Sequence, residues 1–291
     1  MRIQLAKLAK RFGKVHALRE IDLDLPAGAK VALIGPNGSG KTTLIRSLLG
    51  LVRYEGEVRI DGAVVDRAAF ASRIAYVPQI APHVAATCGD LVRAIAELRG
   101  ISEAPIRDAA MELDLAFDAI AARPFRSLSG GSKQKLLIAL ALAARPELLI
   151  MDEPTASLDA EARGRFFRLY RELAGNATLI LCSHRLEEIR SLIDHVVALE
   201  DGRLIYEGDS SDYFAKRVGS LVELRVDGGD TTWLTESGFA PGTNGWWTRS
   251  VDRRAKLELV PAAIERLGRA LVDVVVRDVD LVELRGEVGH A

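Results

Sequence analysis

The chain has 291 residues, 48% of them hydrophobic and 27% charged, with a formal net charge of −1. That length suits one large domain plus a small one with an ample core, and the near-neutral balance gives no electrostatic reason to expect nucleic acid or an anionic surface as main partner. Two cysteines, Cys88 and Cys182, fit neither a disulfide framework nor a metal spacing, so they read as small buried side chains of a reducing compartment.

Met1-Arg2-Ile3-Gln4-Leu5 carries charge too early for a signal peptide. The apolar run Leu136 to Ala144 stops at Arg145-Pro146, well short of the roughly 20 residues a membrane-spanning helix needs. Any membrane role is expected through a partner.

In chain order, Lys30 to Ile34 is a short apolar run ending in glycine and predicts a buried strand. Lys41 to about Leu51 predicts a helix, with Leu44, Ile45, Leu48 and Leu49 at helical spacing. Val58-Arg59-Ile60 and Ser72 to Pro78 predict strands. Gly89 to Ala122 is helical in pattern with a break near Gly100 to Pro105, and Leu91, Ile95, Leu98, Met111, Leu113 and Leu115 are its apolar positions. A further helix is expected from Gly131 to Ala144, and buried strands at Leu148 to Met151 and Thr178 to Cys182. Val196 to Leu204 predicts a hairpin through Asp201-Gly202.

Near Lys216 to Ser220 the texture changes. Leu221 to Val226 and Lys256 to Val260 alternate apolar and polar, Pro261 is expected to open a helix through Ala270, and Asp273 to Val276 to form a last strand. This predicts a small C-terminal α+β domain over 220–291, in which Trp246-Trp247 is either a contact patch or part of a small core.

Three constellations carry chemistry. Gly35-Pro36-Asn37-Gly38-Ser39-Gly40-Lys41-Thr42-Thr43 lies between a predicted strand and a predicted helix. Its glycines let successive N–H groups face phosphate oxygens, the helix adds its positive end, Lys41 reaches the β- and γ-phosphates, and Thr42 can ligate Mg²⁺. Leu148-Leu149-Ile150-Met151-Asp152-Glu153 is a buried strand ending in two acids. Asp152 is placed to hold Mg²⁺, and Glu153 to act as general base on the attacking water. In Leu128-Ser129-Gly130-Gly131-Ser132 a serine and two glycines open a helix, which offers N–H donors, a hydroxyl and a positive dipole to an anion.

Together these residues resemble the ATP-binding subunit of ABC transporters over roughly residues 1 to 215: an α/β P-loop ATPase domain with a helical subdomain at about 80–135. Gly35 to Thr43 is its Walker A, Leu148 to Asp152 its Walker B and Leu128 to Ser132 its signature, where Ser132 replaces the family's usual glutamine. The resemblance implies that Phe12 stacks on adenine. It makes Gln79 the Q-loop glutamine near Mg²⁺, Ser157-Leu158-Asp159 the D-loop that crosses the dimer, and His184 the switch histidine at the γ-phosphate. It implies ATP and Mg²⁺ as cofactors and a homodimer that sandwiches ATP between Walker A of one copy and Ser129, Gly130 and Gly131 of the other. Closure would drive a transmembrane permease met by the segment Gln79 to Ala122, with Ile80, Pro82, Val84 and Leu91 as contacts, at the cytoplasmic side of the cell membrane. The short C-terminal domain resembles that of subunits paired with ABC-2-type exporters, including multidrug and nitrous-oxide reductase copper-maturation systems, and 271–283 is loosely similar to their tail. The competing expectation is a soluble ABC ATPase of repair or translation; no long heptad run or second Walker A speaks for it.

Overall fold

The computed structural model describes residues 1–64, 70–183 and 189–280. The chain divides into two compact units: Met1–His184 with Leu192–Glu207, and Arg185–Ser191 with Gly208–Ala291.

The first unit contains two sheets. Strands β1 (Ile3–Phe12), β2 (Val15–Leu25), β4 (Glu55–Ile60) and β5 (Ala63–Val64) form an antiparallel sheet in the order β2-β1-β4-β5. The second sheet runs β10-β9-β3-β8-β7-β6, built from β3 (Lys30–Ile34), β6 (Ile74–Val77), β7 (Leu148–Asp152), β8 (Thr178–Cys182), β9 (His195–Glu200) and β10 (Arg203–Asp209). From β9 through β6 its pairings are parallel. Strands β7 and β8 are buried at every position and β3 at all but Lys30, the pattern of parallel strands covered on both faces. Their near-continuous apolar runs made them legible as strands.

Helix α1 (Lys41–Leu48) turns Leu44, Ile45 and Leu48 into the same core as Ile3, Leu8 and Ile21 of the antiparallel sheet and Leu33, Ile150 and Val197 of the parallel one. The helical segment comprises α2 (Cys88–Arg99), α3 (Ala104–Glu112), α4 (Phe117–Ile120) and α5 (Gly130–Ala143). Thr87 caps α2 by accepting from the Asp90 N–H, and Gly100 in the left-handed region ends it. Leu113 and Leu115 are buried as expected, but the rest of the core face differs in part from the expected one. Cys88, Val92 and Ala96 are buried, whereas Leu98 and Met111 are 69% and 63% exposed. In α2 the smaller side chains occupy the inner stripe and leave Leu98 outside. α5 buries Leu136 and every residue from Ile138 to Ala143, as a helix enclosed on most sides does. α6 (Ala160–Ala174) follows β7 and is capped by Asp159, whose carboxylate accepts from the Ala162 N–H at 2.8 Å.

In the second unit, α7 (Ser210–Arg217) precedes β11 (Val218–Val226), α8 (Thr232–Glu236), β12 (Ala240–Pro241), β13 (Trp246–Val251), α9 (Arg253–Leu267) and β14 (Leu271–Asp280). The sheet is antiparallel with order β12-β13-β11-β14. This is a βαββαβ arrangement of the ferredoxin-like kind. Val222, Leu224 and Val226 of β11 pack with Leu259, Ala263 and Leu267 of α9.

Two expectations change here. Lys256 to Val260 is helical, and Pro261 lies inside α9 rather than at its start. The helix begins at the Asp252 cap, which accepts from the Ala255 N–H at 2.7 Å, and its buried positions recur every four residues. The apparent alternation at Leu257 and Leu259 thus placed Leu257 outside, 70% exposed, and Leu259 inside. The adjacent tryptophans divide between the two faces of β13. Trp247, opposite Leu224, packs on the core, and Trp246 lies opposite Arg225 on the other face.

Candidate functional site

The carboxyl ends of β3 and β7 flank that of β8. Ligands in open α/β sheets gather at such strand ends, and a cleft of about 610 Å³ lies there. Asn37, Gly38, Gly40, Lys41, Thr42 and Thr43 line it from the loop after β3, Asp152 and Glu153 from the end of β7, and Gln79 from beyond β6.

The loop conformation depends on glycine where the backbone of β2 comes close. Gly40 has φ +106°, and a Cβ there would lie 2.5 Å from the Ala17 carbonyl oxygen. From Gly40 the chain enters α1, whose first hydrogen bond runs from the Leu44 N–H to the Gly40 oxygen at 2.8 Å. The helix therefore directs its N-terminal end, with unpaired N–H groups, at the cleft. Lys41 Nζ donates to the carbonyl oxygens of Gly35 at 2.6 Å and Pro36 at 3.0 Å, which curls the loop around its ammonium group. Ser39 Oγ is buried and has no hydrogen-bond partner among the described residues.

Thr42 Oγ1 donates to Asp152 Oδ2 at 3.4 Å. Asp152 is nearly buried, and burial raises its pKa, opposed by the hydrogen bonds from Thr42 and Cys182 and by the positive charges of Lys41 and Arg46. A hydroxyl and a desolvated carboxylate side by side are hard oxygen donors, and a divalent cation would offset the cost of the buried charge. The donor set fits Mg²⁺. Glu153 follows at once, 9% exposed, with φ +50°, a conformation costly for a side chain of this kind. Its N–H donates to the Cys182 carbonyl oxygen at 3.0 Å, so the main chain turns sharply as it leaves the sheet.

Phe12 is not among the cleft-lining residues. It ends β1, 49% exposed, opposite Val15, which does line the cleft, and Lys10 Nζ sits 4.7 Å from its ring centroid. Ser129, Gly130 and Gly131 lie at the N-terminus of α5 and do not line the cleft of their own chain. Gly131 is close to the loop before α6: a Cβ there would be 3.0 Å from the Ser157 oxygen. His184 lies outside the described residues.

The ABC transporter family model matches residues 18–156. A methionine import ATP-binding protein (MetN) of Chromohalobacter salexigens is 36% identical, over 75% of this chain and 68% of that protein. The Nod factor export ATP-binding protein I of Cupriavidus pinatubonensis is 35% identical, over 79% and 73%. The linearmycin resistance ATP-binding protein LnrL of Bacillus subtilis is 30% identical, over 80% and 77%.

The chain belongs to the ABC transporter ATP-binding subunits. The fold agrees: a solved ATP-binding subunit of an ABC transporter superposes with TM-score 0.66 at 26% identity, over 74% of this chain and 92% of that one. The α/β ATPase domain with its helical segment is thus that of an ABC ATPase, and its relatives serve both import and export.

Other residues of this ABC ATPase reach the cleft without a motif to announce them. Lys14, His16, Arg19 and Asp201 line it. Asp201-Gly202 was legible as a turn, and both residues have positive φ as a two-residue hairpin requires. Its position against the phosphate loop was not legible. Cys182 is fully buried as expected, but it pairs in register with Asp152, and burial pushes its thiol pKa well up. Cys88 is buried in α2.

Proposed function

We propose that the cleft binds ATP with Mg²⁺ and that two copies of the chain hydrolyse it as a sandwich dimer to drive a membrane permease. The observation that carries this reading is the approach of Thr42 to Asp152 at the mouth of the Gly35–Thr43 loop. A phosphate cradle and a hard-cation donor pair then meet in one cleft.

In this reading the N–H groups around Gly38, Ser39, Gly40 and Thr43 receive the phosphates, helped by Asn37 and Gly35, and Phe12 stacks on the base. Lys41 leaves the carbonyls of Gly35 and Pro36 for the β- and γ-phosphates. Thr42, Asp152 and Gln79 would hold Mg²⁺, which supplies neutralising charge between the phosphates. Glu153 takes the proton of the attacking water, and His184 contacts the γ-phosphate. Ser129, Gly130 and Gly131 serve the nucleotide of the other copy. Their absence from the lining of their own cleft supports that division of labour.

Among the described residues no helix is long and apolar enough to cross a membrane. The permease would therefore supply the membrane path, with the chain bound peripherally at the cytoplasmic face. Ile80, 81% exposed, with exposed Pro82 and half-buried Val84 and Leu91, extends from Gln79 as the contact. Two of the relatives named above are a Nod factor export protein and a linearmycin resistance protein, and this chain carries the short C-terminal domain expected of such subunits. That supports an export permease of the ABC-2 type, and none of the three relatives is named for copper maturation.

Replacing Lys41 by Ala tests the cleft. ATP affinity, measured by titration calorimetry, is expected to fall at least about tenfold, the loss of one charge-assisted contact. The melting temperature should stay near that of the parent. Undiminished affinity would overturn the assignment.

A further inference from the structure

Ser129 opens α5 as its N-cap and accepts from the Ser132 N–H at 3.2 Å. Its hydroxyl also lies 2.9 Å from the Ser132 hydroxyl, to which it donates. A glutamine at this third helical position would reach back to the N-cap main chain and close a capping box. Serine is too short for that, so the two hydroxyls meet instead. Ser129 is exposed, Ser132 is half-buried, and a Cβ on Gly130 beside them would find open space.

We infer that Ser132 is a positioning residue for the second phosphate-binding surface, lending its proton to Ser129 Oγ whenever Ser129 turns its own to a phosphate. The inference rests on the reading of Ser129–Gly131 as the surface that meets the nucleotide of the other copy. A hydroxyl has one proton and two acceptor lone pairs. When Ser129 donates to Ser132, that single proton is occupied. A γ-phosphate oxygen competes for it with the advantage of a charge-assisted bond, roughly twice as strong as a neutral one. Once the Ser129 proton leaves, the 2.9 Å contact survives only if the Ser132 proton fills it. Ser129 Oγ then accepts from both the N–H and the O–H of Ser132, which fixes the oxygen and leaves its proton one direction, outward. The pair reverses without a change of distance.

The test uses full-length chain carrying Glu153→Gln, chosen to slow hydrolysis by removing the proposed base, and reads the ATP concentration at half-maximal dimerisation by light scattering. Ser132→Ala keeps the N–H that caps the helix and removes only the hydroxyl. It is expected to raise the ATP requirement about five- to tenfold, the equivalent of one hydrogen bond. The melting temperature and the ADP affinity of the monomer should not move, and Ser132→Thr should restore the parent value. If Ser129→Ala raises the requirement while Ser132→Ala leaves it unchanged or lowers it, the role of Ser132 is overturned and the surface stands. If Ser129→Ala has no effect, or the parent forms no ATP-dependent dimer, the surface itself is wrong and the inference fails with it.

Discussion

The Gly202 N–H donates to the Ser39 carbonyl oxygen at 3.1 Å, which ties the turn between β9 and β10 to the phosphate loop. The same residue accepts from the Arg19 N–H at 2.7 Å, so the turn joins the loop to β2 as well. Because the peptide is planar and trans, a carbonyl held by Gly202 sends the following Gly40 N–H to the opposite side. One external hydrogen bond thus orients a donor of the cradle.

Gly202→Ala is therefore expected to harm both stability and nucleotide binding. Gly202 has φ +74°, and a Cβ would lie 2.8 Å from the Ala17 oxygen, a main-chain atom with little room to give. The cost should be about 2 kcal/mol or more in unfolding, with ATP affinity reduced alongside. Denaturant titration and calorimetry check both. A variant with parent stability would show that the turn does not hold the loop.

Asp152→Asn should separate stability from function. Burial raises the pKa of Asp152, so the folded state holds its proton more tightly than the unfolded chain does. Between the unfolded and the folded pKa, stability falls as pH rises, and above the folded pKa the full penalty remains. Asparagine removes that penalty. The nucleotide-free variant is expected to melt higher than the parent at neutral pH, with the gain shrinking as pH falls through the raised pKa and gone once pH is below the ordinary carboxylate range. Mg²⁺-dependent ATP hydrolysis should drop at least about a hundredfold. Lower stability at pH 7 would contradict the account of the buried charge.

The second unit can be followed by itself, because Trp233, Trp246 and Trp247 are the only tryptophans and all belong to it. Leu224 is fully buried between β13 and β14 and under α9. Leu224→Ala should cost about 2–5 kcal/mol, the range for emptying a core leucine site. The midpoint of the tryptophan fluorescence transition in denaturant should move accordingly. An unmoved midpoint would mean that β11 is not the centre of that core.

The sequence made the site legible where function dictates residue types over a short span. Gly35 to Thr43 and Leu148 to Glu153 each declare a loop or strand end by local constraint, and the buried strands follow from uninterrupted apolar runs. Contacts between distant segments were not legible. Nothing near Gly202 says that its N–H meets Ser39, and nothing near Cys182 says that it faces Asp152. The antiparallel strands β1 and β2 alternate irregularly because their pairing is shifted at several points, so their period is weak. In α2 the side chains chosen for the core are Cys88, Val92 and Ala96, whose small size hid the inner stripe behind the more conspicuous Leu91 and Leu98. In α9 the proline at 261 suggested a start, whereas the Asp252 cap carries that role.

ATP turnover by purified Glu153→Gln protein is the most direct test of the central claim, that this cleft hydrolyses ATP with Glu153 as the base. The substitution removes the base and keeps nearly the same shape at a position 9% exposed. The account predicts turnover lowered by about 10²–10⁴-fold with ATP still bound and the dimer held closed. Turnover at the parent rate would contradict it.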